Sequence, residues 1–245
     1  YNITNIVTKV SKILNQTQYS LKCLKFLQKL QQHRLGTNLA STMLSIVNTV
    51  KPQENVKETA LALADAALMG ARGNSGIIFA QFLYGFSKDI QDKPTMTIKE
   101  FAGNMKIASE CAYYALAKPK EGTIISVIKD WANNINENCD NTDDFTTLLL
   151  NGLNVAMESL KETGKFIAAK AKTIVDAGAK GFVVFLEGMC EYFHNGGQTV
   201  QVANAEIIDS EWLGEDNHEV ITFRYCTEAL LIGENLEREK LASLI

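Results

Sequence analysis

The placement of proline constrains the fold more than any other feature of this chain. Only three prolines occur among 245 residues, Pro52, Pro94 and Pro119, and each lies between stretches of helical periodicity. Proline disrupts helix interiors, so the long stretches between these positions favour long helices. Apolar residues recur there three and four positions apart, as on one face of an amphipathic helix. The predicted helices cover 3–14, 38–50, 56–69, 76–88, 97–116, 122–136, 145–160 and 178–194.

Eight or nine helices joined by short turns predict an antiparallel all-α bundle. Hydrophobic residues make up 46% of the chain, enough for a sizeable core. The pattern changes after residue 197: residues alternate between polar and apolar over 198–202, and β-favouring residues dominate 219–232. A last helix is predicted over 235–244. We therefore expect a helical domain over 1–197 and, over 198–245, a linker and the start of a second, α+β domain.

Charge and cysteine usage exclude several classes of protein. A net charge of -4 gives no basic footprint for nucleic acid, and no apolar run is long enough to predict an integral membrane segment. The five cysteines lie far apart, which suits reduced thiols and a cytoplasmic protein better than a disulfide framework. The three histidines show no metal-ligand spacing. These features leave a soluble globular protein with a small-molecule or protein partner.

Residues 69–76 read Met-Gly-Ala-Arg-Gly-Asn-Ser-Gly and carry the strongest chemical signal in the chain. Glycines let the backbone approach a ligand closely, and a helix starting near Ser75 or Gly76 would present free N–H groups to an anion. The spacing matches neither the dinucleotide-binding nor the P-loop glycine pattern. A flexible turn between helices and an anion site remain equal alternatives for this segment alone. Its candidate binding residues are Gly70, Arg72, Gly73, Asn74 and Ser75.

Three further segments place polar residues at predicted helix starts. In 35–42, hydroxyl and amide side chains could bind phosphate oxygens, or Thr37 or Asn38 could simply cap a helix. In 117–124, Thr123 lies near a helix start, and a plain capped loop is the alternative. In 174–181, Asp176 could cap a helix or contact a sugar hydroxyl. Because alternate turns of an up-down bundle share one end, we expect the turns near residues 37, 73, 122 and 177 to meet.

Taken in order, four motifs resemble the nucleotide-binding domain of the Dak2 family, which includes the ATP-binding subunit of dihydroxyacetone kinases. They are Gly-Thr-Asn at 36–38, the motif at 69–76, Lys-Pro-Lys-Glu-Gly-Thr-Ile at 118–124 and Val-Asp-Ala-Gly-Ala-Lys-Gly at 175–181. The residues of these motifs most resemble those of the bacterial fatty-acid kinase catalytic subunit. The segment 223–228 also resembles the strand that opens that enzyme's middle domain.

The resemblance implies a barrel of eight antiparallel helices with ATP or ADP and Mg²⁺ at one rim. Carried over by position, the residues near the phosphates are Gly36, Thr37, Asn38, Ser41 and Thr42. Those that cradle the phosphates are Gly73, Asn74 and Ser75, within the motif that also holds Gly70 and Arg72. Those that border the nucleoside are Thr123, Ile124, Asp176, Ala177 and Gly178.

One departure concerns the metal. The family carries two magnesium-binding aspartates before its Gly-Thr-Asn, and an ungapped alignment places Gln32 and Arg34 there. Magnesium prefers hard oxygen ligands, and a guanidinium repels it. Arg34 could instead pair with a phosphate group. The residues therefore predict no metal site, and nucleotide binding is expected to survive this change better than phosphoryl transfer.

The resemblance implies a kinase that transfers the ATP γ-phosphoryl to a fatty-acid carboxylate presented by a separate lipid-binding protein, for phospholipid synthesis. Whether this chain is itself an enzyme is left open by Gln32 and Arg34. The alternatives are a catalytically inactive nucleotide-binding scaffold and a dihydroxyacetone-kinase-type subunit. A homodimer is compatible with each of these functions.

Overall fold

The computed structural model describes residues 37–51, 55–167 and 175–194, together with 236, 237, 240 and 241. The described residues form seven α-helices and contain no strand. The helices are α1 Thr37–Thr49, α2 Val56–Gly70, α3 Gly73–Ser87, α4 Ile98–Tyr113, α5 Ile124–Asn138, α6 Phe145–Ile167 and α7 Ala177–His194. The predicted helix over 3–14, the predicted strands and the domain boundary at 197 lie outside the described residues.

Each helix packs against the next one along the chain, and short connections make these neighbours antiparallel. Helix α3 also contacts α1, and α7 contacts α5 and α1 as well as α6. The predicted all-α bundle is therefore confirmed. Within the described part of the chain, no helix is long and apolar enough to cross a bilayer. In the segment beyond the bundle, the backbone N–H of Leu241 donates to the Glu237 carbonyl at 3.1 Å, as in a helical turn.

An aromatic cluster joins five helices at the centre of the bundle. The ring of Trp131 in α5 lies 5.8 Å from that of Phe182 in α7 and 6.4 Å from that of Phe101 in α4, between ring centroids. Phe82 of α3 meets Phe182 edge to face at 5.5 Å, and Phe145 of α6 meets Phe101 at 4.9 Å. Edge-to-face pairs add to the free energy gained by burying the rings. This cluster fixes the relative positions of the helices whose ends form the site.

Several helix ends differ by two or more residues from the sequence predictions, and one of them is the end of α6, which lies at Ile167 rather than at 160. Helix α3 begins at Gly73 rather than at 76, because Gly73 adopts φ +58° and lets the polar residues after it enter the first helical turn. Helix α5 begins at Ile124 rather than at 122, because Gly122 has φ +76° and lies outside the right-handed helical region. Helix α4 ends at Tyr113, three residues before its predicted end.

Helices α2, α4 and α6 all begin at one end of the bundle, which we call the capped end. The side chain of Asn55 accepts two first-turn N–H groups of α2, at 2.7 and 3.4 Å. Thr97 and Glu100 form a reciprocal capping box at the start of α4. Asp144 accepts two first-turn N–H groups of α6, at 3.2 and 3.0 Å. A side chain therefore satisfies the exposed donors of every helix that starts at this end.

Candidate functional site

Helices α1, α3, α5 and α7 begin at the opposite end of the bundle, and we call this cluster of helix starts the mouth. Contacts between their first turns bring the predicted segments together. The start of α1 meets α3 through Asn38 and Gly73, and α3 meets α7 through Ser75 and Gly178. The backbone of Ile124 at the start of α5 bonds to Asp176 before α7. The expectation that the four turns share one end is therefore met by the geometry of the described residues.

Glycine is required where α1 and α3 meet. A Cβ atom built on Gly73 would lie 2.0 Å from Nδ2 of Asn38, so the Asn38 side chain occupies the space that any other residue would need. One turn further along α3, a Cβ on Gly76 would lie 2.5 Å from the Thr42 hydroxyl oxygen. The missing side chains let the first turn of α3 lie directly against α1. The backbone of α3 thus forms one wall of the mouth.

The carboxylate of Asp176 joins the starts of α5 and α7. Its Oδ2 atom accepts the N–H of Ala179 at 2.7 Å and the N–H of Ile124 at 3.2 Å. Burial raises the pKa of this carboxyl group above its ordinary value, while the backbone N–H groups of Ala179, Ile124 and Gly178 act in the opposite direction. A half-buried carboxylate is held here by backbone donors alone.

Gly178 lies at the point where three of the helix starts touch. A Cβ atom at this position would lie 3.0 Å from Cβ of Ser75, 3.2 Å from the Asp176 carboxylate and 3.5 Å from Cβ of Ile124. These separations are shorter than or equal to ordinary van der Waals contact, so α3, α5 and α7 pack closely here. A shift of one helix start therefore displaces the other two.

The start of α3 leaves backbone donors open at the mouth. Arg72 and Thr123 occupy the N-cap positions of α3 and α5, and neither side chain caps its helix. The Arg72 guanidinium donates instead to the Ala71 carbonyl at 2.7 Å, and the Thr123 hydroxyl donates to the Lys120 carbonyl at 2.8 Å. Among the described residues, no acceptor meets the N–H groups of residues 73–75. Open donors and the positive ends of helix dipoles suit the binding of an anion such as phosphate.

Exposed cations border these donors. Arg72 lies immediately before the first residue of α3, and Lys118 and Lys120 lie in the loop that leads into α5. All three residues are exposed, and none forms an ion pair with another described residue. Positive charge beside open N–H groups raises the local concentration of a polyanionic ligand.

The remaining predicted residues divide into those at the mouth and those behind it. Thr37 is the first residue of α1 and Ala177 the first of α7, and Asn74 is exposed in the first turn of α3. Thr42 is fully buried, and its hydroxyl donates to the Asn38 carbonyl at 2.9 Å. A Cβ on Gly70 would lie 2.1 Å from Cβ of Ser45, so this glycine lets α2 pack closely against α1.

Thr42 and Gly70 therefore support the wall of the mouth from behind. Ser41, half-buried on α1, has no hydrogen bond to another described side chain. Gly36 lies outside the described residues.

Two residues that hold the mouth together were missed by the sequence analysis. The Thr163 hydroxyl, near the end of α6, accepts the backbone N–H of Asp176 at 3.0 Å and donates to the Leu160 carbonyl at 2.7 Å. The Ser126 hydroxyl accepts the N–H of Gly122 at 2.9 Å and so fixes the loop before α5. Neither residue lies in a glycine-containing motif, and a single hydroxyl within a helix gives no sequence signal.

No cluster of three or more potential metal-ligating side chains, from His, Cys, Asp or Glu, occurs among the described residues. The Oδ2 atom of Asp176 already accepts two backbone N–H groups. Gln32 and Arg34, which align with the family's aspartates, lie outside the described residues. The arrangement at the mouth supports an anion and no metal-dependent step follows from it.

Fold and site together define an all-α bundle with a mouth built from four helix starts. Residues 35–191 match the DAK2 domain, and the chain belongs to this family. The family is a nucleotide-binding module of kinases, and its members bind ADP or ATP. The matched range includes all seven helices of the bundle except the last three residues of α7.

Curated relatives extend the match beyond the domain. An uncharacterized protein of Staphylococcus epidermidis is 34% identical over 212 residues, which cover 82% of this chain and 38% of the relative. An uncharacterized protein of Staphylococcus aureus is 35% identical over 211 residues, with the same two coverages. The chain thus spans 38% of the length of these relatives.

Proposed function

We propose that the mouth binds ATP, with the phosphates against the first turns of α1 and α3 and the nucleoside beside α5 and α7. The observation that carries this proposal is the convergence of helix starts around the first turn of α3, where the N-cap Arg72 leaves the N–H groups of residues 73–75 open. Membership of the DAK2 family supports a nucleotide as the anion. Asn38, Asn74 and Ser75 would bind phosphate oxygens, and Thr123 and the turn at 176–178 would border the sugar and base.

The proposed reaction transfers the γ-phosphoryl of ATP to a fatty-acid carboxylate presented by a separate lipid-binding protein. A carboxylate is already ionised at neutral pH and needs no general base. Catalysis would then depend on positioning the two reactants and on neutralising phosphate charge. Open N–H groups and Arg72 are suited to the second task, because they present fixed positive charge to the phosphates.

A second candidate is a domain that binds nucleotide without turning it over. Two observations favour it: Gln32 and Arg34 stand where the family has aspartates, and the described residues hold no acidic cluster. Phosphoryl transfer depends strongly on metal ions that neutralise the phosphates. Nucleotide binding alone can rest on backbone donors and arginine. The two candidates differ in whether magnesium strengthens ATP binding.

Titration of the 245-residue chain with ATP, in EDTA and in excess Mg²⁺, tests both candidates. We expect ATP to raise the melting temperature. A rise that grows with Mg²⁺ favours the kinase, and a rise that is indifferent to Mg²⁺ favours binding without turnover. No rise with ATP or ADP under either condition would contradict the proposed nucleotide site.

Two asparagine variants locate the site. Asn74→Ala removes an exposed amide at the mouth, and Asn151→Ala removes an exposed amide from α6, away from the mouth. Loss of a hydrogen bond to a charged group is worth about 1.5–3 kcal/mol, so Asn74→Ala should weaken ATP binding by about tenfold or more. Asn151→Ala should leave the affinity unchanged. Equal affinities for the two variants would place the nucleotide elsewhere.

A further inference from the structure

Asp176 differs from the other helix caps in the described part of the chain. Asn55 and Asp144, at the capped end, each bond first-turn N–H groups of their own helix. The Oδ2 atom of Asp176 bonds the N–H of Ala179 in its own helix and also the N–H of Ile124, the first residue of another helix. Ile124 is 52 positions away along the chain. This one oxygen therefore sets the separation between the starts of α5 and α7.

The backbone of Asp176 is fixed from a third helix. Its N–H donates to the Thr163 hydroxyl of α6, which is itself held by the Leu160 carbonyl. Thr163 is 1% exposed, so it has no access to a ligand in the mouth. A buried hydrogen bond to the Asp176 backbone thus restricts the position of its carboxylate.

The position of Asp176 also determines the position of the open donors. Gly178, two residues further on, packs against Ser75 in the first turn of α3 and against Ile124 in α5. If the bond from Ile124 to Asp176 is lost, the start of α5 is free to move away from α7. The open N–H groups at the start of α3 would then lose their fixed position relative to the starts of α5 and α7.

From this geometry we infer that Asp176 is a positioning residue for the nucleotide: through the N–H groups of Ile124 and Ala179, it holds the starts of α5 and α7 in the arrangement that the bound phosphates require. This inference rests on the proposed function. It assigns the carboxylate of Asp176 an action through the backbone of two helices, without contact between that carboxylate and the nucleotide, while the turn at 176–178 borders the nucleoside through its backbone. The acceptor oxygen is the essential feature, because both bonds are accepted by Oδ2.

Four variants of the whole chain test the inference. Asp176→Ala removes the acceptor, and Asp176→Asn keeps one acceptor oxygen without the charge. Thr163→Val removes the buried support at nearly constant volume. Asp144→Ala is the matched control, because it removes an aspartate cap of the same kind from the capped end. The probes are ATP and 2′,3′-dideoxy-ATP, with affinities measured by calorimetry and the exchange of the Ile124 amide followed by NMR.

We expect Asp176→Ala to weaken the binding of both nucleotides by the same factor. This factor should be on the order of tenfold, as for other residues that orient a binding group. Thr163→Val should weaken the binding of both nucleotides by a smaller factor. Asp176→Asn should keep most of the wild-type affinity. The Ile124 amide should exchange faster in Asp176→Ala. Asp144→Ala should lower the melting temperature and leave both affinities unchanged.

Three results would overturn the inference while wild-type ATP binding stands. If Asp176→Ala loses affinity for ATP but not for the dideoxy analogue, Asp176 contacts the sugar. A loss in Asp176→Asn equal to that in Asp176→Ala would mean that charge, and not the acceptor, matters. If the affinities for both nucleotides are unchanged in every variant at 163 and 176, Asp176 only caps its own helix, as Asp144 does. If Asp176→Ala does not fold, Asp176→Asn and Thr163→Val decide the question. A wild-type chain that binds neither probe would contradict the proposed function itself.

Discussion

The two ends of this bundle are made from the same elements and differ in how their helix starts are capped. At the capped end, Asn55, Thr97 with Glu100, and Asp144 satisfy the first-turn donors of α2, α4 and α6. At the mouth, the N-cap residue Arg72 leaves the N–H groups of residues 73–75 in α3 without an acceptor among the described residues. The starts of α5 and α7 share one acceptor there, the Asp176 carboxylate. A side-chain cap typically stabilises a helix by about 1 kcal/mol. The start of α3 lacks that stabilisation, at a place where a bound anion can take the position of the cap.

Among the substitutions that test this contrast, we expect the largest effect at Gly73. Gly73→Ala places a Cβ against Asn38 at a residue with φ +58°, which should destabilise the fold by about 1–2 kcal/mol. It should also separate α1 from α3 and weaken ATP binding by roughly a hundredfold, as expected for displaced binding groups. Calorimetry and thermal unfolding measure the two effects.

The control for this variant is Gly103→Ala in the middle of α4. A Cβ at Gly103 meets no atom within 4 Å, so the substitution should stabilise the fold by about 0.5–1 kcal/mol. ATP affinity should not change. If Gly73→Ala keeps wild-type affinity, the close contact between α1 and α3 is not part of the binding site.

Arg72→Asp converts an open helix start into a capped one. Arg72 has the extended backbone of an N-cap residue, φ -137° and ψ 131°, so an aspartate there can accept first-turn N–H groups of α3. The apo protein should gain about 1 kcal/mol of stability, while ATP affinity should fall by tenfold or more as carboxylate replaces cation. Arg72→Ser should show both effects more weakly. A gain in stability without loss of ATP affinity would mean that the open N–H groups of α3 do not bind the nucleotide.

Asn55→Ala removes a cap from the capped end. The free energy of unfolding should fall by about 1 kcal/mol, because two first-turn N–H groups of α2 lose their acceptor. Urea titration measures this loss, and ATP titration should give the wild-type affinity. A change in affinity comparable to that of Asn74→Ala would show that the two ends do not act independently.

The smallest effect concerns the pH dependence of the capped end. The hydrogen bond from Lys93, together with the Thr97 N–H, lowers the pKa of Glu100 from 4.5 to about 2. A lowered pKa contributes stability above pH 4.5 that is lost as the pH falls towards 2. Melting temperatures between pH 6 and pH 2.5 should therefore decline less steeply in Glu100→Gln than in the wild type. Parallel curves would contradict this assignment.

Helix periodicity located every described helix, and its errors at the mouth fell at glycines. The segment at 73–76 was predicted as a turn leading into a helix, yet Gly73 is already the first residue of α3. Gly122 was included in the helix that begins two residues later. Periodicity reports which face of a helix is buried, whereas the conformation of a single glycine depends on the neighbour that it must accommodate. At Gly73 that neighbour is Asn38, 35 positions earlier in the sequence, and no local pattern encodes it.

The amino-acid sequence by itself determined that the described chain is helical, because proline placement and apolar spacing act within a few residues of each position. It also determined which turns carry glycine and polar residues, and so where a ligand could bind. Tertiary structure alone decided that Asp176 bonds Ile124 and that Thr163 supports Asp176, because those partners lie in different helices. Packing around the aromatic cluster brings them together, and a hydrogen bond forms only between groups that packing has brought within about 3 Å.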